Sequence, residues 1–168
     1  AAADMAKFYS QNNQHKQSMQ YANLTLASPD ASPDREAVAL ATMYRAIALE
    51  ALGYHYAAAV SYNQTWQFMK YHRQFSHHDS EMETLLEQTE LHLLLAAVNF
   101  IQCGQVEQAC QTIDQIEYIS NPQHVISYFT QMIIDLPRSQ RARLNMLTGY
   151  YQYQLASGQN PQFLLSSF

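Results

Sequence analysis

The chain is short of charge, glycine, proline and cysteine, and each shortage narrows what it can be. Only 14 % of its 168 residues are charged, against roughly 25 % in an average soluble protein. Nine basic and fourteen acidic side chains leave a net charge of −5. That balance argues against sequence-independent binding to nucleic acid, which needs a basic footprint. It argues equally against attraction to anionic lipid. No apolar run is long enough to span a bilayer. The most apolar stretch, 91–101, is interrupted by His92 and Asn99 and falls well short of about 20 residues. No basic, then apolar, then small-residue leader opens the sequence, and a start at Ala1 rather than Met fits a piece of a longer protein. The expectation is a cytoplasmic chain with no nucleic-acid and no membrane partner.

Two cysteines, Cys103 and Cys110, lie on either side of Gly104. They leave a single disulfide open, but free, buried thiols in a reducing compartment are the expected state. Two cysteines without histidines at ligand spacing do not close a zinc site, so no metal is expected. The phosphate-cradling glycine loop, the nucleophile elbow and the HExxH pattern are all missing. The sequence therefore points to no enzyme and no cofactor.

What is present is apolar and aromatic: 48 % hydrophobic residues and 12 % aromatics. That is too apolar for a disordered chain and fits one domain over 1–168. The 4 glycines and 5 prolines punctuate long uninterrupted stretches. Gly53, Gly104 and Gly158 each follow a helix-type pattern, where a residue that tolerates φ > 0 ends a helix. Ser28-Pro29, Ser32-Pro33, Asn121-Pro122 and Asn160-Pro161 read as helix starts, with a capping side chain ahead of proline. Pro137 precedes a further start. Alternating apolar and polar runs bounded by turns are not evident, so strands are not expected. The spacing predicts an all-α chain with helices over 2–11, 14–27, 34–52, 55–72, 79–102, 105–119, 123–135, 138–157 and 161–167. The stretch 71–80 reads as a loop. Connections at Gly53 and Gly104 are short, so consecutive helices fold back antiparallel.

Two segments align on their glycines: Ala46, Leu49, Gly53, Ala58, Tyr62, Thr65 and Ala97, Phe100, Gly104, Ala109, Ile113, Ile116. The intervals are the same in both. A small residue on each helix permits close approach, and bulky residues beside it fill the remaining space. This pattern resembles the tetratricopeptide repeat, a helix-turn-helix unit of 34 residues that stacks into a right-handed α-solenoid. Asn121-Pro122 sits where such repeats carry a closing proline. A weaker first unit has Tyr21, Leu24 and Pro29 in place but Met5 and Gln17 at the small-residue positions. A fourth would turn at Gly158. The step from Gly53 to Gly104 exceeds a regular repeat, which implies longer helices and irregular extra ones.

The resemblance implies a non-catalytic module that binds a protein or peptide, within a larger bacterial regulatory or signalling protein. Its groove positions fall on Leu40, Met43, Ile47 and Glu50 in one unit and on Leu91, Leu94, Val98 and Ile101 in the next. Each set forms one helix stripe. Such a stripe either accepts a partner or is core beneath the chain's own helices. Met43, Ile47, Leu94 and Val98 stand where relatives that clamp a C-terminal carboxylate carry Lys and Asn, which disfavours that mode.

Tyr54, Tyr56, Trp66, Phe68 and Tyr71 form a second candidate surface, for a partner or for a homodimer, because exposed aromatics are enriched at interfaces. The alternative function is a helical small-ligand sensor or enzyme with a closed aromatic-lined pocket, in which His55, Glu50 and Asn99 would converge. His72, His77, His78 and Asp79 have metal-ligand types but no diagnostic spacing, and read as a solvated loop. Arg138, Arg141 and Arg143 cluster at a helix start and read as a solvated face.

Overall fold

A computed structural model describes residues 2–27, 35–74, 79–116, 126–127, 130–131, 134 and 137–157, with the side chains of 35–36, 71–74, 79–88, 139–140, 143, 150, 153–155 and 157 outside that description. The described residues are helical with no strand. They form α1 (Ala2–Gln11), α2 (His15–Ala27), α3 (Arg35–Ala51), α4 (His55–Gln74), α5 (Asp79–Gln102), α6 (Val106–Asp114) and α7 (Arg138–Ser157). Each helix from α1 to α6 packs on the next. α1 also touches α3, and α7 packs on α5 and α6. Two expectations change here. The stretch 71–74 continues α4 and 79–80 opens α5, so helix rather than loop occupies most of 71–80. The helix expected over 105–119 ends at Asp114, with Gln115 in a turn. The helix start at Asn121 lies outside the described residues, as do the turn at Gly158 and the helix over 161–167.

Three hairpin turns share one hydrogen-bond pattern. After α3, Tyr54 N–H donates to Leu49 O (2.8 Å) and Gly53 N–H to Glu50 O (3.0 Å). After α5, Gln105 N–H donates to Phe100 O (2.8 Å) and Gly104 N–H to Ile101 O (3.0 Å). After α1, Gln14 N–H donates to Tyr9 O (2.8 Å) and Asn13 N–H to Ser10 O (3.1 Å). This is the left-handed helix ending that satisfies the last carbonyls. It requires positive φ at its pivot, and φ is 58° at Asn13, 89° at Gly53 and 83° at Gly104. Asparagine is the side chain that best tolerates that region after glycine.

The matching turns correct the register of the first unit. Its small residues are Ala6 and Ser18, not Met5 and Gln17. Ala6, Tyr9, Asn13, Ser18, Ala22 and Thr25 repeat the intervals of the two glycine-centred segments. Ala6, Ser18, Ala46, Ala58, Ala97 and Ala109 are all fully buried. The approach is close enough for Ser18 Oγ–H to donate to the backbone carbonyl of Ala6 across the α1–α2 contact (2.8 Å).

The core forms successive clusters between consecutive helices. Ala6, Ala22, Ala41 and Tyr44 join α1, α2 and α3. Ala46, Ala58, Tyr62 and Ala96 join α3, α4 and α5. The largest cluster gathers Leu94, Val98 and Ile101 of α5, Ala109 and Ile113 of α6, and Leu144, Leu147 and Tyr151 of α7. Between Thr89 and Ile101, Leu91 is exposed and Leu95 partly buried, and every other residue of that run is buried. A helix apolar on nearly all sides takes such a central place.

Candidate functional site

The α3–α4 hairpin and the part of α5 behind it hold the densest polar chemistry among the described residues. Across α3 and α4 a buried polar seam replaces apolar packing. Ser61 Oγ–H donates to Thr42 O (2.8 Å) and Thr42 Oγ1–H to Ala39 O (2.8 Å). Thr65 Oγ1 lies 2.9 Å from Thr42 Oγ1. Thr42, Ser61 and Thr65 are all buried, so the pairing offsets the desolvation of their hydroxyls. At the edge of this seam Arg45, partly buried, donates from Nε to Ser61 Oγ (3.3 Å) and from Nη2 to Gln64 Oε1 (2.7 Å). Burial pulls its pKa below the usual arginine value.

A second polar bridge joins three helices. Asn99 of α5 is fully buried. Its Nδ2 donates to Glu50 Oε2 of α3 (2.5 Å) and to Leu95 O (2.8 Å). With both amide hydrogens used, Oδ1 accepts from His55 Nδ1–H of α4 (2.9 Å). An amide oxygen only accepts, so the neutral ring is the Nδ1–H tautomer with Nε2 as acceptor. The convergence of Glu50, His55 and Asn99, expected for a ligand-binding reading, is thus present. Its geometry locks α3, α4 and α5 together at the Gly53 turn. In the first hairpin the counterpart of His55 is His15, whose Nδ1 is buried without a partner among the described residues. The counterpart of Asn99 on α3 is Ala48, which carries no polar side-chain atom.

The predicted groove residues divide between the two units. Leu40, Met43 and Ile47 are partly buried against the first cluster, and Glu50 is partly buried and bonded to Asn99. In the next unit only Leu91 is exposed. Leu94, Val98 and Ile101 are core, buried in the same cluster as Leu144, Leu147 and Tyr151 of α7. An open groove there is corrected, because the chain's own later helix covers it.

The aromatic surface also divides. Tyr54, Tyr56 (49 % exposed) and Phe68 (37 %) face solvent, joined by Val60 (38 %). Trp66 does not belong with them: it is buried, its Nε1 finds no partner among the described residues, and Lys70 Nζ lies 4.8 Å from its ring centroid. The Tyr71 side chain lies outside the described residues. Tyr56 meets Phe100 edge-on at 5.7 Å and its hydroxyl lies 3.4 Å from Gln108 Nε2, which ties the outer face of α4 to α6.

Among the remaining candidates, His77 and His78 lie outside the described residues, as do the His72 and Asp79 side chains. No metal-holding group of His, Cys, Asp or Glu occurs among the described residues, and no described helix is long and apolar enough to cross a membrane. Arg138 and Arg141 are exposed, and the Arg143 side chain lies outside the described residues. Both cysteines are free. Cys103 is exposed, correcting the expectation of two buried thiols, and Cys110 is buried with its pKa raised to about 11 by desolvation and by Asp114. Sequence reasoning missed Arg45. Its signal was indirect: α2 and α4 contain no aspartate or glutamate.

No protein-family model matches this chain, and neither a curated protein nor a solved structure matches it.

Proposed function

We propose that this chain is a non-catalytic helical-repeat module of tetratricopeptide type that binds a protein or peptide, as the interaction part of a larger regulatory or signalling protein. The observation that carries the reading is the outer face of α4. There Tyr56, Val60 and Phe68 are exposed together on a helix anchored on both sides by α3 and α5. Large apolar side chains held on a rigid element bind with little ordering entropy to overcome. The repeated turns at Asn13, Gly53 and Gly104 support the repeat reading, since similar units stacked in order leave one face of each hairpin available.

The test is selection of a random-peptide phage library on the purified chain. Peptides should enrich on the native chain and fail to be retained by a Tyr56→Ser, Val60→Ser, Phe68→Ser variant that melts like the parent. Recovery of no enriched sequence, or equal retention by the variant, refutes this reading.

A further inference from the structure

We propose that the α3–α4 hairpin takes a side-chain carboxylate of its partner peptide on the Arg45 guanidinium, between the exposed side chains of Val60 and Phe68. This rests on the peptide-binding reading and names the chemistry of the partner. It concerns the outer edge of the hairpin, not the Leu40–Glu50 stripe.

Three observations converge on it. First, Arg45 is fixed. Its Nε and Nη2 are held by Ser61 Oγ and Gln64 Oε1, and Ser61 is itself buried and bonded to Thr42 O. A guanidinium has five N–H donors in a planar fork, so donors beyond these two are left for a ligand. A fork already locked in place matches a carboxylate with little further ordering. Second, its charge meets no counter-charge among the described residues. Both protein partners are neutral and, among the described residues, no carboxylate pairs with Arg45. The acidic residues of α3 itself are Glu36 and Glu50, and Glu50 is engaged by Asn99. Helices α2 and α4 supply none, and the side chains of Glu36 and of Asp79, Glu81, Glu83 and Glu87 on α5 lie outside the described residues. A partly buried cation without a counter-charge is an unfavourable arrangement that an incoming anion relieves. Third, the cation sits among exposed apolar groups. Val60, Gln64 and Phe68 follow one another at i, i+4 and i+8 on α4, about 6 Å apart along the axis. The residue that receives the Arg45 fork is therefore the middle of a stripe whose two ends are exposed and apolar. An arginine flanked by large apolar side chains is the composition of an interface hot spot. The complement is an acidic residue with apolar neighbours on both sides.

The peptides recovered from the phage library supply the probe. Displayed as N-terminal fusions they have no free C-terminus, so any carboxylate they offer belongs to a side chain. The enriched sequences should share an Asp or Glu beside apolar residues. Changing that acid to its amide in a synthetic peptide should weaken binding to the unaltered chain by about tenfold or more. Arg45→Gln should weaken the parent peptide by a similar factor, and the amide peptide should bind Arg45→Gln no worse than the parent peptide does. Affinity for the acidic peptide should also fall with added salt. Enriched peptides without a shared acid, or an acid-to-amide change without effect, would overturn the carboxylate assignment while leaving peptide binding intact. An enrichment of nothing would remove both. The peptide-side change leaves the protein untouched, so the test survives if Arg45→Gln folds poorly.

Discussion

The sign of two glycine substitutions separates this architecture from a chain of longer, unbroken helices. Gly53 sits at φ 89°, and a Cβ built there meets nothing within 4 Å. Gly53→Ala therefore introduces no clash, and its effect is the backbone strain of an alanine held in the left-handed region, about 1–2 kcal/mol. For a chain of this length that lowers Tm by roughly 2–4 °C per kcal/mol. Gly149 is the internal control. It lies within α7, and a Cβ there also meets open space. Gly149→Ala should stabilise by up to about 1 kcal/mol, since glycine is a poor residue inside a helix. Gly53→Asn should be milder than Gly53→Ala, because asparagine already serves the same turn at position 13. Thermal and urea melts of the single variants read the result. A rise in Tm for Gly53→Ala equal to that for Gly149→Ala would mean that the helix continues through residue 53, and the hairpin reasoning would be refuted.

Other parts of the structure give further expectations. Asn99→Ala removes the bridge among Glu50, His55 and the Leu95 carbonyl, and should cost about 2–4 kcal/mol in a urea melt; a loss under 0.5 kcal/mol would show that the bridge does not lock the three helices. Buried His92, stacked on Tyr62 at 6.2 Å, has its pKa lowered to about 4 by desolvation. Its neutral form stabilises the fold fully above the ordinary value of about 6.5, and that contribution fades as pH falls toward 4, by on the order of 2–3 kcal/mol. His92→Phe should remove that part of the stability loss between pH 7 and pH 4.5, and an unchanged difference would contradict it. With an alkylating reagent, one thiol, Cys103, should react rapidly in the folded chain and both after denaturation, because Cys110 is buried and its thiolate is suppressed.

The helical pattern and two of the hairpins were legible because glycine announces a left-handed turn and alanine announces a close contact. The first hairpin was legible only in part. Its pivot is Asn13, and without a glycine to anchor the alignment, Met5 and Gln17 stand one residue away from the small positions that Ala6 and Ser18 fill. The intervals around Asn13 carried the signal all the same. Leu94, Val98 and Ile101 have the periodicity of either an open stripe or a covered one, and only the packing of α7 on α5, some 50 residues later in the chain, decides between them. Trp66 reads like its exposed aromatic neighbours until the angle between α4 and its partners is known. Arg45 looks like an ordinary helix charge in sequence; its two neutral partners, Ser61 and Gln64, emerge only when α3 is placed against α4.

The most direct test of the hairpin turns is NMR detection of scalar couplings across backbone hydrogen bonds. Couplings should connect the amides of Gln14, Tyr54 and Gln105 to the carbonyls of Tyr9, Leu49 and Phe100, each five residues back. Couplings from those amides to carbonyls four residues back would show uninterrupted helices at those points and contradict the turns.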